Sequence, residues 1–182
     1  MKTRKGMAWI GAVLLAGFLA PSFTMSAADN PDSEQVSNLL SGARTMALQL
    51  KDDAQTMASF TGMNVKWETH RDAISQIKEH VNALARQVDK LKSARDSAAP
   101  WQKTVIDRTD PYLAEMNGYT EAVIENLNKR PERLRTPEYQ DYLEANADYA
   151  GDLAGMIADF VDYGRTKDRL QRLTDKLEVP AR

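Results

Sequence analysis

The chain has 182 residues, of which none is cysteine and only two are histidine. The absence of cysteine excludes disulfides, thiolate-ligated zinc and iron–sulfur sites, thioether-attached haem, a thiol nucleophile and a cysteine-linked lipid anchor. Glycine and proline are also few, with 9 and 7 residues. The remaining composition, with 42% hydrophobic and 27% charged residues, is typical of one globular domain.

Long apolar runs are missing too, with one exception at the N-terminus. Basic residues within positions 2–5 precede an apolar stretch from Met7 to Ala20, and small residues follow at Ser26 and Ala28. This order is typical of a secretory signal peptide, here with cleavage before Asp29. The apolar stretch has 14 residues, whereas a membrane-spanning helix needs about 20. An uncleaved membrane anchor is therefore the less favoured alternative.

We predict a mature chain of residues 29–182 that is exported, periplasmic or secreted, and that meets the membrane only transiently through its signal peptide. Removing residues 1–28 takes away three basic residues and no acid, which changes the formal net charge from −2 to −5. This mild negative charge argues against nucleic acid as a partner.

Apolar residues recur three and four positions apart through the rest of the chain, which indicates α-helices. Capping residues and prolines at the joints predict helices at 33–60, 67–98, 100–129 and 137–177, with a kink or a short break at Pro111. Short connections make neighbouring helices reverse, so we predict one all-α domain, an elongated antiparallel four-helix bundle with up-down-up-down topology. The alternative is a helical hairpin or coiled coil that completes its core by dimerisation.

Two apolar stripes define most of the expected core. The stripe of the second helix follows a regular heptad: Trp67, His70, Ile74, Ile77, Val81, Leu84, Val88 and Leu91. The stripe of the first helix has a centre at Val36, Leu39, Ala43, Met46, Leu50, Met57 and Phe60, with Leu40, Ala47 and Ala54 beside it.

Neither histidine has the spacing of a helical metal site. His70 and His80 are ten residues apart on one helix, or about 15 Å along its axis, so they cannot share a metal ion. We predict that His70 is a core-edge imidazole hydrogen-bonded to a neighbour and that His80 lies at the surface. Haem ligated by His70 and a methionine is an alternative, but the last helix has no histidine to match four-helix cytochromes. We predict no metal and no cofactor.

Two features of the later helices could form an interaction or ligand site. Acidic residues recur on one side of the fourth helix and form a predicted interaction ridge: Asp141, Glu144, Asp148, Asp152, Asp159 and Asp162. Its alternative interpretation is a solvated face. Tyrosines on the third and fourth helices, together with His70, form a predicted ligand seam: Tyr112, Tyr119, Tyr142, Tyr149 and His70. Its alternative is ordinary packing between helices.

The C-terminal turns of the fourth helix are basic. They contain Arg165, Lys167, Arg169, Arg172 and Lys176. Cations at a helix C-terminus are stabilised by the helix dipole. The functional alternative is contact with anionic lipid or with an acidic partner.

The sequence has no Ser/His/Asp set, no glycine-rich phosphate loop and no pair of carboxylates in a recognisable catalytic spacing. We therefore predict that the protein is not an enzyme. It is expected to act by binding or structural interaction in the cell envelope, including chaperone-like contacts, with an unknown protein or a second copy as partner. The alternative function is a carrier of a small ligand or a haem-like cofactor in the tyrosine seam.

Overall fold

The computed structural model describes residues 31–177 except 131 and 133. The predicted signal peptide lies outside the described residues, so its cleavage stays a prediction. The described part contains four α-helices and no strand. The helices are α1 (Glu34–Ala58), α2 (Trp67–Ser93), α3 (Pro100–Lys129) and α4 (Pro137–Leu177). The prediction of an all-α chain of packed helices is confirmed.

The ends of the helices show where the sequence signals act. Two helices have the predicted bounds, α3 and α4. The other two end earlier than predicted, because short 3₁₀ turns at Ser59–Gly62 and Arg95–Ser97 follow them. Such tighter turns are common at helix C-termini, where carbonyl groups lack partners four residues ahead.

The start of α1 is fixed by its own cap and by α3. The hydroxyl of Ser33 accepts a hydrogen bond from the Val36 N–H at 3.4 Å, as expected for an N-cap. The side chain of Gln102 is fully buried, accepts from the Ser33 N–H at 3.1 Å and donates to the Ser33 carbonyl at 3.0 Å. The same amide donates to the Ser37 hydroxyl at 2.9 Å. One buried amide therefore ties the first helix to the third.

The stripe of α2 forms one side of the core as predicted. Ile74, Ile77, Val81, Leu84, Val88 and Leu91 are all buried, and so is His70, while Trp67 is half-buried. The predicted α1 stripe is confirmed at Val36, Ala43, Leu50 and Met57, but the remaining buried residues lie about one position from those predicted. Leu40, Ala47 and Ala54 are buried, whereas Leu39, Met46 and Phe60 are half-buried. The reason is that α1 packs against both α2 and α4, so its buried face is centred between the two contacts.

Contacts between neighbouring helices run in opposite residue order. As the residue number rises along one helix, the number of the residue that it contacts on the next helix falls. Between α1 and α2, Gln87 donates to the Leu39 carbonyl at 2.9 Å, and His80 contacts Asp53. The same reversal appears in the pairs Trp67 with Leu127, Arg95 with Asp107, Trp101 with Tyr163, Thr120 with Asn146, Arg44 with Asp162, and Thr61 with Gln140. The last two pairs bring α4, or its start, back beside the first helical segment.

The helix α3 continues through Pro111, so the predicted break does not occur, while the predicted kink stays a prediction. Pro111 has no N–H to donate to the Asp107 carbonyl, and its ring lies on an exposed side of the helix. Arg95, beyond the end of α2, holds the Asp107 carboxylate through two hydrogen bonds of 2.7 Å. Lys92 pairs with Asp110 beside the proline. Contacts from the α2 end thus support the turn that the proline weakens.

Candidate functional site

All six residues of the acidic ridge are exposed on α4. Between Pro137 and Gly164, α4 has seven acidic residues and no lysine or arginine. Asp162, at one end of the ridge, pairs with Arg44 at 3.1 Å and with Arg165 at 3.6 Å. Within the described residues, the other five ridge carboxylates form no ion pair. Most of the ridge therefore faces solvent with its negative charge uncompensated.

A groove of about 740 Å³ opens between α3 and α4. We name it the α3/α4 groove, and its lining consists of Trp101, Arg108, Tyr112, Gly151, Asp152, Gly155, Met156, Asp159, Phe160 and Tyr163. The lining thus joins two ridge carboxylates, one seam tyrosine and several further apolar side chains. The two sequence features that were predicted separately meet here.

Two glycines on α4 contribute to the space. Gly151 and Gly155 lie one helical turn apart, and a Cβ added to either would meet no atom within 4 Å. The surface of α4 is therefore recessed between the larger side chains of Met156 and Tyr163 and the ridge carboxylate of Asp152. Without Cβ atoms at these positions, the α4 backbone forms the floor of the groove.

Trp101 closes one end of the groove and is held on three sides. Its ring packs on Gly164 so closely that a Cβ there would lie 2.7 Å from the ring atom Cη2. Its Nε1–H donates to the Asp32 carboxylate at 2.9 Å, and Lys167 donates to the same oxygen at 2.8 Å. Tyr163 meets the indole edge to face, with 5.6 Å between ring centroids. This end of the groove is therefore well supported.

The members of the predicted tyrosine seam lie in separate places. Tyr112 lines the groove. Tyr119 stacks on Tyr149 with ring centroids 5.1 Å apart, and Tyr119 and Glu115 raise the pKa of Tyr149. Tyr142 lines a smaller cavity of about 230 Å³ at the joint between α3 and α4. The described residues therefore form local tyrosine contacts instead of one continuous seam.

His70 contributes to none of these tyrosine contacts, because it is buried against a different one. Its Nδ1 lies 2.9 Å from the hydroxyl of Tyr139, and its ring meets Phe60 edge to face at 5.2 Å. Burial lowers the pKa of His70 and raises that of Tyr139. The prediction of a hydrogen-bonded imidazole at the core is confirmed. A neutral imidazole bonded to a phenol in the packed interior serves structure and is not exposed to a substrate.

The prediction that His80 lies at the surface is confirmed only in part, since its side chain is 22% exposed and its Nδ1 pairs with the carboxylate of Asp53 on α1. The neighbouring helix α1 covers the flank of α2 that sequence periodicity treats as surface. In the part of the chain that the structure describes, no three His, Asp or Glu side chains come together as metal ligands would.

Residue spacing alone does not reveal the groove, because Trp101, Met156 and Phe160 recur at the helical period that is typical of core residues. The structure leaves all three half-buried at the rim of the core, where they line the open space. One available signal was the spacing of Gly151 and Gly155, which removes side chains from one side of α4 at two successive turns. The absence of any cation between positions 137 and 164 was another.

None of the described helices is long and apolar enough to cross a bilayer. Neither a protein-family model, nor a curated protein, nor a solved structure matches the chain.

Proposed function

We propose that the protein is an exported, non-catalytic binding protein of the cell envelope and that the α3/α4 groove is its binding surface. The proposed occupant is an amphipathic, positively charged helical segment of a protein. The observation that carries this proposal is the coincidence of an aromatic groove with two carboxylates at its edge that form no ion pair.

The lining supports this choice of occupant by its chemistry. The rings of Trp101, Tyr112 and Phe160 offer apolar surface, which gains free energy when it is removed from water. The carboxylates of Asp152 and Asp159 stand beside that surface and favour a cation over an anion. An amphipathic helix whose apolar face is flanked by lysine or arginine matches both properties.

The proposal includes the architecture and the compartment. The reversed residue order in contacts between neighbouring helices supports an up-down-up-down bundle, in which α4 packs beside α1 as well as α3. The basic, apolar and small-residue segments at positions 1–28 support export after signal-peptide cleavage. The periplasm is the compartment that we propose for a cysteine-free chain of this kind.

Trp101 provides a direct test, because its indole lines the groove. A variant with Trp9→Phe and Trp67→Phe keeps Trp101 as its one tryptophan. The probe is a synthetic amphipathic helix made of leucine and lysine. We expect its addition to shift or quench Trp101 fluorescence in a saturable way. A peptide of leucine and glutamate with the same pattern should give no change.

Charge variants locate the binding surface. Replacement of both groove carboxylates, Asp152→Asn with Asp159→Asn, should weaken binding of the leucine–lysine peptide by about tenfold or more. The matched control, Asp141→Asn with Glu144→Gln, removes two ridge charges outside the groove lining and should leave affinity within about twofold. Absence of any fluorescence response to the cationic peptide, or equal losses in both variants, would contradict the proposal.

A second candidate function is favoured by the size of the groove. Its volume of about 740 Å³ falls within the range of roughly 300–1,000 Å³ that is typical of small-molecule sites. Arg108 also lines it and could pair with the carboxylate of a fatty-acid-like ligand. This candidate is a small-ligand carrier instead of a protein-binding module.

The two candidates respond to opposite substitutions. Binding of dodecanoate, measured by calorimetry, should be lost in Arg108→Gln and kept in Asp152→Asn if the groove carries an anionic amphiphile. The cationic peptide should show the reverse pattern. Affinity for the peptide with none for dodecanoate selects the first proposal, and the opposite result selects the carrier.

A further inference from the structure

The fourth helix extends beyond the other three. It has 41 residues, against 25, 27 and 30 in α1, α2 and α3. Lys167 contacts Asp32 just before α1. From residue 168 to 177 every side chain is exposed except that of Thr174, which is half-buried. The last turns of α4 therefore project from the bundle as a helix with little packing of its own.

This projecting segment carries a stripe of exposed leucines. Leu170, Leu173 and Leu177 are 64%, 45% and 66% exposed, and Tyr163 is 53% exposed on the same side. Their spacing of seven, three and four residues is the heptad spacing of helices that pair. Isolated apolar side chains at a surface are ordinary, but a stripe with this periodicity is typical of an interaction face. We name residues 165–177 the basic leucine end.

The leucine stripe continues the same face of α4 that lines the groove. At about 100° per residue around the helix axis, the leucine stripe and three α4 residues of the groove fall in one arc of about 100°. The three groove residues are Asp152, Gly155 and Asp159. One face of a single helix thus presents carboxylates and a recess first, and exposed leucines afterwards.

The charge of α4 changes sign between these two parts. Seven acids and no bases lie between positions 137 and 164, whereas the basic leucine end has five bases and two acids. Parallel pairing of two such helices would place acid beside acid and base beside base. Antiparallel pairing would place each basic end beside the other helix's carboxylates, which is the favourable arrangement.

We infer that the occupant of the α3/α4 groove is the basic leucine end of a second copy of this chain, so that two copies exchange their α4 ends around a two-fold axis near Tyr163. This inference rests on the proposed function, since it names the partner of the same groove. With the axis at Tyr163, Leu170 lies opposite Met156 of the other copy. Arg169 and Lys176, which flank the leucine stripe, then lie opposite residues 157 and 150 of the other copy, two positions from its Asp159 and Asp148.

The lengths of the two surfaces support this fit. The groove follows α4 from Gly151 to Tyr163, or about 18 Å at a rise of about 1.5 Å per residue. The projecting part of the helix, from Lys167 to Leu177, covers about 15 Å. A two-fold contact uses each surface twice, so each pairing between the two helices occurs twice in the dimer.

The experiment is a charge exchange, read by native mass spectrometry and sedimentation of the full chain as its own host processes it. One variant carries Asp152→Lys with Asp159→Lys, and the other carries Arg169→Glu with Lys176→Glu. Each variant alone should weaken dimerisation by about a hundredfold or more. An equimolar mixture of the two should recover a heterodimer, because both interfaces then pair opposite charges again. Helical circular dichroism of each variant verifies that it folds.

A matched control is Arg86→Glu, which reverses an exposed charge on α2 away from α4 and should leave the dimer unchanged. The substitutions Leu170→Ser and Leu173→Ser should also give monomers, since these leucines lie outside the core. A chain that is monomeric at every concentration while its groove still binds the leucine–lysine peptide overturns this inference and leaves the proposed function intact. A chain that is monomeric at every concentration and whose groove does not bind the leucine–lysine peptide overturns both this inference and the proposed function.

Two further outcomes would also overturn the inference. A dimer that persists in both charge variants uses another surface. A monomer that sediments with phosphatidylglycerol vesicles, but not with phosphatidylcholine vesicles, and loses this binding in Leu170→Ser would show that the basic leucine end contacts anionic lipid instead.

Discussion

The buried contact between His70 and Tyr139 makes the stability of the protein depend on pH. Burial lowers the pKa of His70 from its ordinary value of 6.5, so the unfolded chain binds a proton more readily than the folded chain. Between the two pKa values the unfolded state carries more protons, and the free energy of unfolding rises with pH. The contribution of His70 is therefore complete above pH 6.5 and is lost as pH falls through the folded pKa.

Denaturant unfolding at several pH values tests this prediction. The intact protein should lose stability below about pH 6.5 with a contribution from His70 of at most about 1.4 kcal/mol per pH unit. This slope should be absent from His70→Gln, which can still hydrogen-bond Tyr139. It should remain in His80→Gln. An identical pH profile for the intact protein and His70→Gln would contradict the prediction.

Two glycines in helices should respond to alanine in opposite ways. Gly118 lies on α3 with no atom within 4 Å of an added Cβ, so Gly118→Ala should stabilise the protein by about 1 kcal/mol. At Gly164 the added Cβ would lie 2.7 Å from the Trp101 ring, and Gly164→Ala should destabilise by about 1–3 kcal/mol through overpacking. Thermal unfolding of both variants provides the comparison, and equal signs would show that Trp101 moves freely.

At the scale of single helices, the stripe of α2 gives the clearest stability prediction. Ile77 and Leu84 are 1% and 0% exposed. Either Ile77→Asp or Leu84→Asp should destabilise the protein by several kcal/mol, about 3 or more, because each buries a charge without a partner. The exposed control Asn82→Asp should change stability by about 0.5 kcal/mol or less. Chemical denaturation measures all three, and near-neutral core variants would place the stripe elsewhere.

The proline within α3 leads to a prediction of the opposite sign. Pro111 is exposed and interrupts one backbone hydrogen bond of a helix that otherwise runs from Pro100 to Lys129. Pro111→Ala restores the N–H and should raise the free energy of unfolding by about 1–3 kcal/mol. Thermal unfolding would measure this gain. A loss of stability would instead indicate that the bundle needs the geometry that proline imposes on this helix.

Helix positions and bounds were largely predictable because their causes are local. Ser33, Pro100 and Pro137 start three helices with cap and first-turn chemistry that acts within a few residues. The α2 stripe was predictable because one regular period leaves one choice of buried face. The face of α1 was misplaced by about one position because α1 touches two helices, one of which begins more than 75 residues after α1 ends.

The candidate site was predictable only in part, for the same reason. The charge of α4 can be read directly from residues 137–177. The groove needs two helices, and sequence periodicity cannot tell whether Trp101 is covered by a neighbour or only half-covered. His80 shows the same limit, since Asp53, which lies 27 residues earlier, covers it. Burial at a helix flank depends on the partner helix and not on the helix itself.

At the scale of the whole molecule, the bundle and the basic leucine end should be separable. A stop codon in place of Leu170 ends the chain after Arg169. The described residues that it removes, 170–177, are exposed except for the half-buried Thr174, and the contact of Lys167 with Asp32 is kept. The free energy of unfolding per monomer should change by about 0.5 kcal/mol or less, whereas dimerisation should be lost. Unfolding in dilute solution and sedimentation at high concentration test the two parts, and a large loss of monomer stability would contradict the separation.

The pairing of the first helix with the last determines when the molecule can close. Arg44 meets Asp162 across 118 residues of chain, and Asp32 meets Lys167 across 135. During synthesis, α1 emerges long before its neighbour α4 exists, so the part of its apolar face that packs on α4 stays uncovered until nearly the whole chain has been made. The bundle therefore matures after translation ends, and incomplete chains that lack α4 should remain sensitive to proteases.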